Sequence, residues 1–87
     1  MKIKIFIFQS PFLNTDSIFG TMNQVTEYIT KSLSETYIFS TNNVEMVAGD
    51  DDSYFTVFAE KFPDDPCGLY QKMEYGRILV KDIETED

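Results

Sequence analysis

The sequence predicts an α+β fold: a two-layer domain with a mainly antiparallel sheet of about five strands, one long helix and one short helix, in the order β-α-β-β-β-α-β. Three observations predict it. Lys2–Phe8 alternates strictly, with Ile3, Ile5 and Ile7 on one face and Lys2, Lys4, Phe6 and Phe8 on the other, the period of a strand. Ile18, Met22, Val25, Ile29 and Leu33 fall three or four residues apart, which is one helical stripe. The rest of the chain holds short β-branched and aromatic runs joined by turn residues, and short connections favour an antiparallel meander.

The first strand ends at Ser10-Pro11, because proline has no ladder donor. The helix is predicted over residues 17–34. Asp16 and Thr21 both suit its cap, and Thr21 with Gln24 matches a capping box. Gly20 lies between the two starts and costs about 1 kcal/mol if it is interior. The helix is expected to lie across the Ile3/Ile5/Ile7 face.

Thr36–Ser40 and Val44–Ala48 read as two strands parted by a Thr41-Asn42-Asn43 turn, since Asn tolerates positive φ. Gly49–Ser53 reads as a second turn and Tyr54–Lys61 as a long strand. Phe62-Pro63-Asp64-Asp65-Pro66 ends that strand. Asp65 before Pro66 is a helix-start pattern. Leu69 and Met73 lie four apart and Gly76 suits a C-terminal cap, so a short helix is predicted over 66–75. Arg77–Ile83 makes the last strand. Residues 1–83 then form a single domain, and 84–87 an acidic, disordered tail.

Composition restricts function. The 87 residues include fifteen Asp+Glu, seven Lys+Arg, no His, no Trp and one Cys. One cysteine makes no internal disulfide. Without histidine there is no Ser-His-Asp or Cys-His catalysis and no His-ligated metal. Few basic residues argue against direct binding of nucleic acid or anionic membranes. The apolar run Ile5–Phe8 is too short for a signal-peptide core or a membrane span. A lone cysteine fits a reducing compartment, so a soluble, cytoplasmic protein is expected.

The charge is uneven. Residues 1–48 hold three lysines against four acids, a balance of −1. Residues 49–87 hold four basic residues against eleven acids, a balance of −7.

Most catalytic and metal patterns fail. Asp50-Asp51-Asp52 lacks the spacing of an EF-hand, whose sixth position would be Phe55 instead of Gly. Cys67 has acidic neighbours in Asp64 and Asp65 and no histidine to activate it, so it reads as a half-buried structural cysteine. No Gly-rich phosphate loop exists. Fifteen acids guarantee chance carboxylate pairs, and nothing places two of them in one pocket.

Two binding surfaces remain. The first is acidic. In a meander, Asp50–Asp52 and Asp64–Asp65 lie at opposite ends of one strand, roughly 25 Å apart. Glu60, Glu74, Asp82, Glu84 and Glu86 extend that line. Such a ridge suits a small, non-catalytic inhibitor or decoy of a basic, nucleic-acid-binding protein, such as a nuclease, a restriction or other defence factor, or a toxin. It would occlude the phosphate-binding surface by charge mimicry, without a cofactor. The plainer account is that the charge serves solubility alone. The second surface is aromatic. Eight Phe and five Tyr exceed what one buried sheet face needs. Unless loops carrying Phe12 and Phe62 cover the other face, Phe6, Phe8, Tyr54 and Phe58 form a contact for self-association, making the protein an assembly module or homodimer.

Overall fold

The computed structural model describes residues 1–85. Five strands and one helix follow the order β1 (Lys2–Gln9), β2 (Ser17–Phe19), α1 (Met22–Thr36), β3 (Phe39–Ala48), β4 (Tyr54–Lys61) and β5 (Gln71–Glu84). The strands form one antiparallel sheet in the order β2-β1-β5-β4-β3. The fold is α+β, with the helix on one sheet face.

Strand β5 is the spine. Its first half pairs with β4, from Lys61↔Gln71 to Tyr54↔Leu79, and its second half pairs with β1, from Gln9↔Arg77 to Lys2↔Glu84. Beyond Val80, β1 and β5 continue as a two-stranded ribbon. This ribbon stretches the molecule to 58 × 26 × 19 Å.

Phe6 and Phe8 point to the helix, not the isoleucines. Phe8 is fully buried with Val25, Ile29, Leu33, Phe39, Val57, Ala59, Tyr75 and Ile78. Its ring lies 6.1 Å from Tyr28 of α1 and 5.9 Å from Tyr75. The expected face is therefore reversed. Both faces of β1 are apolar, and the wider rings of Phe6 and Phe8 fill the space beneath a single helix.

The helix starts later than residue 17. Thr21 is the cap, and its hydroxyl accepts from the Gln24 amide at 3.2 Å. The Gln24 side chain accepts from the Gly20 amide at 3.1 Å, one residue beyond the cap amide that a standard capping box engages. Residues 17–19 pair with β1 instead, so Ile18 leaves the helical stripe. Thr26 and Thr30 donate to the carbonyls four residues earlier, which satisfies their hydroxyls within the helix. The helix runs on to Thr36 and stops at Tyr37, whose φ is 58°.

Residues 41–43 are not a turn between two strands. β3 runs through them with an irregularity between Ser40 and Glu45. The Ser40 hydroxyl accepts from the Asn42 amide, and the Asn43 side chain donates to Glu60. The asparagines thus serve a bulge.

The short helix over 66–75 does not form. Asp65-Pro66-Cys67-Gly68 is a single turn, in which Asp65 Oδ1 accepts from the Cys67 amide and its carbonyl from the Gly68 amide. Residues from Gln71 onward join β5, because that buries Tyr75 completely. Val57 opposes Gly76 and Phe58 opposes Glu74, which leaves Tyr75 as the extra residue of a bulge. Gly76 is no helix cap. A Cβ there would lie 2.5 Å from the Gln9 carbonyl oxygen and 2.8 Å from the Phe8 ring.

The expected tail is shorter too. Glu84 pairs with Lys2, and Thr85 exchanges backbone hydrogen bonds with Met1. Glu86 and Asp87 lie outside the described residues. No helix of the described residues is long and apolar enough to cross a membrane.

Candidate binding surfaces

The acidic residues fall into groups with different surroundings. Asp50, Asp51 and Asp52 occupy the β3–β4 turn and are exposed. Gly49 opens the turn, where a Cβ would run into the Tyr54 ring. Asp51 accepts from the Ser53 hydroxyl at 2.6 Å and the Ser53 amide at 3.2 Å. These bonds hold its carboxyl below the ordinary value of 3.8, the hydroxyl contributing most. Asp52 takes a φ of 57°, a region Asp tolerates. At the other end of β4, Asp64 and Asp65 are exposed on the loop into β5. An eight-residue strand sets the two groups roughly 25 Å apart. None of these five carboxylates joins an ion pair; the ion pairs among the described residues are Lys72–Glu45 and Arg77–Glu74.

The other predicted acids do not extend this surface as a continuous ridge. Glu60 receives the Asn43 side chain, and Glu74 is held by Arg77 at 3.3 Å. Both lie on the sheet face away from the helix. Asp82 and Glu84 point to the helix side of the ribbon, with Lys4 and Lys2 directly across the pair. Opposite charges in that register offset each other. Glu86 lies outside the described residues.

The sheet face away from the helix is uncovered. It carries Ile3, Ile5 and Ile7 of β1, Ile18 of β2, and Leu79 and Ile83 of β5. Ile7 sits between Ile18 and Leu79, and Ile3 opposes Ile83. Ile18 is 65% exposed. On the β4 side, Tyr54 and Phe58 share this face, each beneath a cation: Arg77 lies 5.5 Å from the Tyr54 ring centre and Lys72 lies 5.7 Å from that of Phe58.

The predicted aromatic contact therefore divides. Tyr54 and Phe58 belong to the open face, whereas Phe6 and Phe8 support the core. Of the two aromatics expected to close this face, Phe12 lies elsewhere and Phe62 sits only at the end of β4. Phe12 stacks on Tyr75 and meets Phe39 edge-on, on the helix side. Phe62 packs edge-on against Tyr70. Sequence periodicity revealed two apolar faces on β1 but assigned the isoleucines to the core; their run of three on one face was the available signal for this surface.

The concavities are shallow. A trough of about 500 Å³ runs along the helix between Asn23, Thr26, Thr30 and Thr41. A second, of about 260 Å³, brings Asp16 and Glu74 to one rim. Asp16 accepts from the Gln9 side chain and Glu74 pairs with Arg77, and both are exposed. Among the described residues, no three Asp, Glu or Cys side chains come together in a metal-binding arrangement. Cys67 is exposed, not half-buried.

Comparison with protein-family models, with curated proteins and with solved structures finds no match for this chain.

Proposed function

We propose that the protein is a small, non-catalytic inhibitor or decoy of a basic, nucleic-acid-binding protein such as a nuclease, a defence factor or a toxin. The supporting observation is the pair of acidic poles. Asp50–Asp52 and Asp64–Asp65 are exposed, lack basic partners and flank one strand. A duplex presents one charge per about 1.7 Å, and a phosphate-binding cleft meets many of them in a line. Two carboxylate groups about 25 Å apart engage two ends of such a cleft, and the body between them blocks it. The narrow, elongated shape is consistent with occupying a groove. The acidic site is smaller than the sequence implied, because Glu74, Asp82 and Glu84 face cations. The reading needs no cofactor and no direct contact with nucleic acid, and it places the encounter in the cytoplasm.

The test is kinetic. A basic nuclease captured by the protein is purified, and its association rate is measured at about 50 and about 500 mM salt, where the screening length falls severalfold. The rate is expected to drop about tenfold or more with salt. Replacing Asp50, Asp51 and Asp52 with Asn is expected to slow association similarly and leave the fold intact. A rate indifferent to both salt and substitution contradicts the proposal.

A further inference from the structure

The open sheet face raises a separate question, since a helix covers only one side of this sheet. The chain exposes 6161 Å², whereas a monomer of its mass typically exposes about 5,300 Å². The excess is close to the ~800 Å² that each partner contributes to a standard interface. Strand lengths and spacing give the open face itself a footprint of roughly 700 Å². The elongated ribbon accounts for part of the excess, and the open face lies partly on that ribbon.

The charge on this face indicates the partner. By register it carries Glu45, Glu60 and Glu74 with Lys72, Arg77 and Lys81. The strand positions of this face are thus formally neutral, with Asp16 at the rim beside Gln9, on a chain of net charge −8. A basic partner would find no excess of opposite charge here. A second copy meets no net repulsion, and the acidic groups of both copies remain at the poles. We infer that the open face is a homodimer interface, in which Ile3, Ile5, Ile7, Ile18, Leu79 and Ile83 of two copies pack together about a two-fold axis. An isologous contact of this kind needs a self-complementary patch. Two sheets meeting face to face lie about 10 Å apart, and the aliphatic residues fill that layer. Lys81, beside Ile5, lays its apolar stem on the patch and extends its ammonium to the rim. The dimer leaves Asp50–Asp52 and Asp64–Asp65 accessible, so it doubles the acidic poles.

Sedimentation equilibrium from about 1 to about 200 µM tests this, a range that brackets a moderate dimer affinity. The expected mass rises to twice the 10.1 kDa of the chain and persists at about 500 mM salt, because the contact is apolar. Ile5→Lys and Ile18→Lys are each expected to weaken the dimer at least about tenfold, with unchanged far-ultraviolet circular dichroism. Asp64→Asn with Asp65→Asn is expected to leave it intact. Ile18 is the more exposed position, so Ile18→Lys and the wild-type dilution series decide the matter if Ile5→Lys fails to fold. A monomer across the whole range overturns the inference. So does a dimer that withstands Ile18→Lys, or one that salt dissolves.

Discussion

The two faces of the sheet are both apolar, yet only one lies under the helix. The covered face combines rings and branched chains from every long strand: Phe8, Tyr75, Ile78, Val57 and Phe39. The open face is mostly isoleucine along β1, with one ion pair across β4 and another along β5. Strand periodicity thus identifies faces without ranking them. What ranks them is volume. A single helix bridging a twisted sheet leaves deep space at its sides, and Phe8, Phe12 and Tyr75 fill it with stacked rings. The isoleucines on the other side lie on a face that no element of the described residues covers.

Truncation on each face tests that contrast most strongly. Ile29→Ala, beneath the sheet and fully buried, is expected to cost about 2–5 kcal/mol. Ile18→Ala, on the open face, is expected to change monomer stability by about 0.5 kcal/mol or less. Urea denaturation in dilute solution measures both, and comparable losses would erase the distinction between the faces.

Gly76→Ala sharpens the covered side. The added methyl meets the Gln9 carbonyl and the Phe8 ring, and crowding of this kind costs about 1–3 kcal/mol. Thermal melts would reveal it. An unchanged melting temperature would show that the bulge at Tyr75 relaxes freely.

Tyr75→Phe has the opposite sign. The Tyr75 hydroxyl is buried and makes no hydrogen bond of good geometry, although Ser32 lies close enough to favour the ionised form slightly. Burial nevertheless pushes its pKa above 10.0. Removing an orphaned hydroxyl is expected to raise stability by about 1 kcal/mol. Because the folded pKa is raised, Tyr75 contributes stability below pH 10.0 that is lost as pH climbs through the folded value. The Tyr75→Phe variant should therefore lose less stability in alkali. A destabilised variant would point to a partner for the hydroxyl.

Asp51 gives the smallest effect. Its folded pKa is lowered by Ser53, so its contribution is present above pH 3.8 and disappears as pH falls through the folded value. A carboxyl titration by NMR is expected to place Asp51 below 3.8, and Ser53→Ala to raise it. A wild-type value at or above 3.8 would contradict the hydrogen bonds.

Much of the fold was legible, and the misreadings share a physical cause. Strict alternation located β1, and Thr21 with Gln24 located the cap. The Asp65-Pro66 pattern and the Leu69/Met73 spacing were local signals for a helix. They lost to a non-local gain, the burial of Tyr75 between Phe8, Phe12 and Phe39. Asn42-Asn43 likewise signalled a break correctly, but the pairing of β3 with β4 converted it from a turn to a bulge. The acidic turn at Asp50–Asp52 was located by short-range chemistry alone, whereas Asp65, read as a helix cap, closes a single turn instead. The lysines opposite Asp82 and Glu84 were not legible, because they come from the far end of the chain.

Methyl NMR of the isoleucines in the presence of a soluble paramagnetic agent tests the contrast between the faces and the use of the open one together. Ile29 and Ile78 are expected to stay shielded at every protein concentration. Ile3, Ile5, Ile7 and Ile18 are expected to be broadened in dilute protein and shielded in concentrated protein. Isoleucines of β1 that remain broadened at all concentrations, or that stay shielded on dilution while Ile29 is broadened, would contradict the account.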